Sequence, residues 1–357
     1  MVGHHTVQEA AGLQQPAPHD MAQQQEIVLT GITTTGTPHL GNYVGAIRPA
    51  VAASRRDDVQ SVYFLADLHA LVKAQDPDAV HRSSLEVAAT WLALGLDADK
   101  ALFYRQSDVP EISELNWILM SVTAKGLMNR AHAYKAAVQA NEEAGSPDPD
   151  RGITMALFCY PVLMAADILL FRASRVPVGQ DQKQHVEMAR DIAQRFNHHY
   201  GEHFVLPEAD IGADTAILTG LDGRKMSKSY DNTVPLFEGG AKGLKAAVAR
   251  IVTDSRLPGE PKDPDSCALM PIYRAFAAAD DATAFRQALV EGLGWGEAKQ
   301  RLTDLIEREL APQRERYEAL IARPADIEEL LQIGAKKARA IATPFLAELR
   351  AAVGLRA

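Results

Sequence analysis

Two lysines three positions apart, Lys225 and Lys228, stand in the run Lys225-Met226-Ser227-Lys228-Ser229, with Gly223 before it and Asp231 after it. Ammonium groups on flexible stems can neutralise the charge that spreads over phosphate oxygens as a pyrophosphate leaves. The bland alternative is a solvated Lys/Ser loop. A second run, TGITTTGTPHLGNYVGAIRP, puts Thr33, Thr34 and Thr35 in a Gly-rich turn and His39, Gly41 and Asn42 at a helix start. Free amides at a helix mouth attract phosphate. His39 can donate to a phosphate, Gly41 leaves room for a flat base, and Asn42 hydrogen-bonds without adding charge. Taken alone, such a turn also fits an ordinary helix start. A third feature is Asp167 inside the apolar run LMAADILLF. An unpaired carboxylate is costly to bury, so Asp167 either reaches solvent or cap donors, or meets a ligand's donor.

These residues need elements to hold them. EIVLTGI from Glu26 reads as a strand, TTTGTP as a turn, and His39 to Ser54 as a helix. SVYFLADL from Ser61 and ALFYRQS from Ala101 read as further strands, with a helix over Pro77 to Gly95 between them. SRVPVG leads into the helix QDQKQHVEMARDIAQRF, and TAILTGLDG, read as another strand, leads into the lysine loop. Strands alternating with helices predict an α/β fold, a Rossmann-like, doubly wound parallel sheet. Pro110 to Ala140 reads as helical and NEEAGSPDPDRG as a polar loop, which together suggest a helical insert over about 110–160. After Tyr230 strand signals fade into amphipathic helices. The expected layout is a disordered tail over 1–25, a catalytic domain over 26–229 and a helical domain over 230–357, its last helix placed to pack back on the catalytic domain.

With 357 residues, the chain has room for a large domain and a smaller one. A net charge of -9 argues against a protein that coats nucleic acid by bulk attraction, and so against DNA as a partner, while leaving room for a local basic groove. The patches Lys242, Lys245, Arg250 and Lys336, Lys337, Arg339 read more simply as solvated helix faces. Cys159 and Cys267 lack metal-ligand spacing, and His198, His199 and His203 in NHHYGEH read as a helix end, so no structural metal is expected. Ile153 to Phe171 is long and apolar but holds Pro161 and Asp167, which favours a buried helix over a membrane span. With no secretory signal in the first 25 residues, the expected location is cytoplasmic.

HLGN near the amino end and KMSKS about 190 residues later resemble the two signature motifs of class I aminoacyl-tRNA synthetases. GNYVGAIRP, ADLHALV, MAADILLF and VPVGQDQKQHVEMARDIAQRFN resemble the bacterial tryptophanyl branch. The chain departs from better-known members in carrying Thr33 to Thr35 where they have a Gln-Pro-Ser run. The resemblance implies ATP and L-tryptophan as substrates, Mg²⁺ as cofactor, tRNA(Trp) as partner and a homodimer with its interface near the insert. It assigns Thr33, Thr34, Thr35, Gly41 and Asn42 to ATP's phosphates and adenosine, and Gly179, Gln180 and Asp181 to the ribose and adenine side. Ile217 would touch adenine, and Lys225, Met226, Ser227, Lys228 and Ser229 would close over the triphosphate, His39, Lys225 and Lys228 being catalytic. Asp167 would accept the indole N–H with Met164 beside the ring, while Tyr160, Gln182, His69 and Asp67 handle the ammonium and carboxylate. Lys135 would reach ATP from the insert, and the helices after Tyr230 would read the anticodon. Three rivals stand: a tyrosyl-tRNA synthetase, a small-molecule nucleotidyltransferase, and a non-catalytic paralogue that binds tRNA or tryptophan.

Overall fold

The computed structural model describes residues 26–211 and 217–356. The expected tail over 1–25 lies outside them, as do Thr215 and Ala216 of the expected TAILTGLDG strand. The fold opens with β1 (Glu26–Ile32), α1 (Leu40–Asn42), a π turn (Tyr43–Ile47) and α2 (Arg48–Ala53). The expected helix over His39 to Ser54 is therefore one rod with a π turn in it. Pro49 explains the wide turn, because it has no amide to close an ordinary α turn there. Next come β2 (Val59–Leu65), α3 (Asp67–Ala70), α4 (Pro77–Ala93) and β3 (Leu102–Arg105). Asp76 caps α4 by accepting from the amides of Asp78 and Ala79, Pro77 fits its first turn, and Gly95 at φ 95° ends it.

The insert holds α5 (Glu111–Val122), α6 (Lys125–Met128) and α7 (His132–Glu143), followed by α8 (Met155–Leu170). α8 is the long apolar run, and no described helix is long and apolar enough to cross a membrane. β4 (Arg175–Pro177), α9 (Lys183–Tyr200) and β5 (Glu208–Asp210) complete the sheet. From Gly240 onward the described chain carries helices joined by loops: α10 (Gly240–Arg250), α11 (Leu269–Phe276), α12 (Ala279–Val290), α13 (Trp295–Ile321) and α14 (Pro324–Ala352).

Among the described residues five strands run parallel in the order β3-β2-β1-β4-β5. Apolar side chains cover both faces: Tyr63, Leu65 and Phe103 on one, Val62, Phe64 and Tyr104 on the other. That is the burial expected of a doubly wound sheet. Chain order reverses between β1 and β4, so the crevice beyond their carboxyl ends is where a ligand is expected. α14 packs along β3, so close that a Cβ on Gly334 would lie 1.7 Å from the Phe103 carbonyl oxygen. Arg105 at the end of β3 holds Glu328 of α14 through two bonds of 2.9 and 2.8 Å.

TAILTGLDG does not supply a strand of the sheet in its described part. Thr219 and Lys225 make a single antiparallel bridge, and β5 lies upstream at Glu208–Asp210. Asp222 accepts from the Arg224 amide and Gly223 sits at φ 80°, so the chain turns back within four residues of Gly220 and has no length for sheet pairing.

Candidate active site

A cavity of about 450 Å³ opens at the β1/β4 crevice. Thr33 and Thr35 line it from the turn after β1, His69 from α3, Tyr160, Met164 and Asp167 from α8, and Gln182 from the turn after β4. Elements far apart in sequence thus bring seven of the expected residues to one wall.

Asp167 is fully buried at its end. His69 Nε2 donates to its Oδ2 at 2.8 Å, and Gln106 Nε2 lies 2.8 and 2.9 Å from Oδ1 and Oδ2. Gln106 is held in that orientation because its Oε1 accepts the Leu68 amide at 3.1 Å. The carboxylate therefore reaches neither solvent nor helix caps. Burial pushes its pKa above the ordinary carboxylate value, against the hydrogen bond from His69. With about four lone-pair sites, it keeps room for one further donor from the cavity.

The signature turn and the lysine loop meet directly. The Leu40 amide donates to the Val234 carbonyl at 3.0 Å, and Leu236 to Pro38 at 3.3 Å. Gly41 N–H donates to Met226 Sδ at 3.3 Å, and Lys228 Nζ donates to the Thr35 carbonyl at 2.8 Å. A Cβ at Gly41 would press to 3.0 Å on the His39 ring, so any larger residue there would need the ring to shift. His39 caps α1: its Nδ1 accepts the Asn42 amide at 3.3 Å while Asn42 Oδ1 accepts the His39 amide at 3.1 Å. Burial first, and then Lys228, lower the His39 pKa to about 4. The ring is neutral, with Nδ1 an acceptor and the proton on Nε2, available to donate. Desolvation likewise pulls Lys228 below the usual lysine value.

Against known proteins, a family model described as "tRNA synthetases class I (W and Y)" matches residues 21–311. The chain belongs to this family. The synthetase is 68% identical over 332 residues to a protein of Pseudomonas aeruginosa named tryptophan–tRNA ligase, covering 92% of this chain and 74% of that one. It is 59% identical over 329 residues to a protein of Neisseria meningitidis of the same name, covering 92% and 98%. Among solved structures, tryptophanyl-tRNA synthetase of Campylobacter jejuni complexed with ADP and tryptophan superposes with a TM-score of 0.85 at 41% identity, covering 92% of this chain and all of that one.

Other residues of the synthetase stand apart from the cavity. Gly179, Gln180 and Asp181 are exposed on the turn after β4. Lys135 is exposed on α7, and Ile217, where the described chain resumes after residue 211, is 64% exposed. Asp67 is engaged elsewhere: it accepts from the amides of Leu68 and Ser107 at 3.1 and 3.0 Å and from the Ser107 hydroxyl. Thr34 is buried while Thr33 is exposed. Ser227 and Ser229 hydroxyls pair at 2.8 Å, closing a short 3₁₀ turn over Lys228–Tyr230.

Gln106 and Asn232 are among the residues that the sequence reading missed. Gln106 shares Asp167, and its only signal was a polar residue ending an apolar strand. Asn232 is 2% exposed and clasps the lysine loop: Nδ2 donates to the Lys225 carbonyl at 3.0 Å and to Asp222 at 2.7 Å, while Oδ1 accepts the Ser227 amide at 2.8 Å. Asp231, in a left-handed conformation at φ 49°, turns the chain so that this clasp forms.

Proposed function

We infer that the chain is a tryptophan–tRNA ligase: ATP and L-tryptophan give tryptophanyl-adenylate and pyrophosphate, and tryptophan then passes to tRNA(Trp). One observation carries this: a cavity ending on a buried carboxylate opens beside the turn on which the lysine loop rests, in a chain 68% identical to a protein of that name. A carboxylate is the acceptor suited to an indole N–H, which only donates.

In the first step the amino acid's carboxylate oxygen attacks the α-phosphorus of ATP. An oxygen–phosphorus bond forms as the bond to pyrophosphate breaks. This calls for no protein nucleophile; positioning and charge neutralisation lower the barrier. We assign phosphate and adenosine contacts to Thr33, Thr34, Thr35, Gly41 and Asn42, with neutral His39 donating from Nε2. Lys225 and Lys228 neutralise the leaving pyrophosphate, the latter by exchanging the Thr35 carbonyl for a phosphate oxygen. Met226, Ser227 and Ser229 shape the closing loop, Gly179, Gln180 and Asp181 serve the ribose and adenine side, and Ile217 covers adenine. Asp167 accepts the indole N–H beside Met164, while Tyr160, Gln182 and His69 take the ammonium and carboxylate. Among the described residues no cluster of His, Cys, Asp or Glu could cage a metal, so Mg²⁺ is assigned to the phosphates of the incoming nucleotide.

The same reading gives anticodon recognition to residues 230–357, a cytoplasmic location with the tRNA pool, and a homodimer contact near the insert, where Trp117 is 72% and Met155 70% exposed. Tryptophan-dependent ATP–pyrophosphate exchange tests the assignment. Lys228→Ala should slow exchange roughly 10²- to 10³-fold with tryptophan affinity unchanged. Exchange driven by tyrosine, or by neither amino acid, would overturn the reading.

A further inference from the structure

Behind the amino-acid end of the cavity runs a hydrogen-bonded chain whose central member, His185, has been given no role. Tyr160 Oη lies 2.7 Å from His185 Nε2, His185 Nδ1 lies 2.8 Å from Gln182 Oε1, and Gln182 Nε2 lies 3.1 Å from Asp181 Oδ2. Tyr160 and Gln182 line the cavity, whereas His185, 3% exposed, stands behind them.

The polarity of the chain follows from its far end. A carboxylate only accepts, so the Gln182 amide turns its NH₂ to Asp181 and its carbonyl to His185. That carbonyl also only accepts, so His185 carries its proton on Nδ1 and Nε2 is left as an acceptor. Tyr160 must then donate its hydroxyl proton to His185. Its oxygen is left facing the cavity with lone pairs alone. Burial first, then the neighbouring His132, lower the His185 pKa against the pull of Asp181, which favours the neutral ring the chain requires.

We propose that His185 is a positioning residue for the amino-acid site: by taking the Tyr160 proton it makes that hydroxyl an obligate acceptor, which selects a cationic donor, the α-ammonium of the amino acid. The proposal rests on the ligase reading and adds to it a residue that never touches substrate. Every bond from the ammonium to Asp181 then runs in one donor direction, so each polarises the next. A doubly protonated or absent imidazole would let the Tyr160 hydrogen swing toward the cavity and repel the ammonium.

The test compares tryptophan with indole-3-propionate, which has the same ring and carboxylate but no ammonium, as competing ligands in ATP–pyrophosphate exchange. In His185→Leu the tryptophan KM should rise roughly 10- to 100-fold, the loss of one charge-assisted hydrogen bond, while inhibition by indole-3-propionate stays within about threefold. His185→Asn can replace Nδ1 toward Gln182 but ends short of Tyr160, so the same selective loss is expected should the leucine variant fold poorly. Added to Tyr160→Phe, either substitution should cost nothing further in KM. Equal weakening of both ligands marks a merely structural role and overturns the proposal, as does an unchanged tryptophan KM. Absence of tryptophan-dependent exchange in the unaltered protein would instead sink the ligase reading itself.

Discussion

The sharpest consequence of the site concerns how strongly Asp167 rejects a ligand without an indole N–H. The clean perturbation is 3-benzothienylalanine, in which sulfur replaces that N–H at nearly constant shape. Three hydrogen bonds from His69 and Gln106 already reach the carboxylate. An analogue that donates nothing therefore strands no naked buried charge; it forfeits one charge-assisted bond, about 1.5–3 kcal/mol. Converted at ~1.4 kcal/mol per decade, this is roughly a 10- to 150-fold loss in kcat/KM. Had Asp167 no protein donors, the rejection would approach ~10⁴–10⁵. In Asp167→Asn one acceptor becomes an NH₂ that opposes His69 Nε2–H or the Gln106 amide, and any bond to indole is neutral, so discrimination should fall below about 10-fold. The assay is ATP–pyrophosphate exchange with each amino acid in both proteins. Discrimination above ~10⁴ in the unaltered protein would refute the argument that His69 and Gln106 satisfy the carboxylate. Undiminished discrimination in Asp167→Asn would refute Asp167 as the reader of the N–H.

Asn232→Ala removes the clasp on the lysine loop, and a displacement of about 1 Å there should lower kcat for exchange roughly 10²-fold while equilibrium binding of tryptophan is unchanged; a normal kcat would show that the loop holds its shape without it. Gly334→Ala forces a Cβ to within 1.7 Å of the Phe103 carbonyl, so α14 must lift from β3 at a cost of about 3 kcal/mol, seen as a lowered Tm in calorimetry. His39 titrates near 6.5 when unfolded and at about 4 when folded, so the unfolded state binds more protons between those values and stability is lost as pH falls through that window. Between pH 7 and pH 5 this amounts to about 2 kcal/mol, and urea midpoints of His39→Asn should show a correspondingly shallower slope than the unaltered protein.

Much of this was legible in the residues. EIVLTGI coincides with β1, and the apolar runs from Ser61 and Ala101 fall on β2 and β3 with one- or two-residue shifts at their starts. Strands buried on both faces read as continuous apolar stretches, and Asp76-Pro77 announces the start of α4, so local chemistry decided these elements. TAILTGLDG was misread because its apolar content mimics a strand while Gly220, Asp222 and Gly223 fold it back. The pairing of HLGN with KMSKS was legible as motif and is physical as contact. Gln106, His185 and Asn232 were not legible. Each is an unexceptional polar residue whose role exists only once the partner is brought alongside: 61 positions away for Gln106 and Asp167, 25 for His185 and Tyr160. For Asn232 the partners are near in sequence, but the turn through Asp231 that aims it cannot be read from residue types.

The way α14 lies on the sheet carries a consequence for how the two ends of the molecule communicate. Without that helix, β3 would be a bare margin, its carbonyls open to any passing strand. Its last residue, Arg105, is tethered to Glu328, and the next, Gln106, grips the carboxylate at the floor of the cavity. A cut before Pro324 would therefore do more than shorten the chain. It would unmoor the strand that aims Gln106, so that loss of a remote rod should be felt at the cavity floor, as a slackened hold on Asp167.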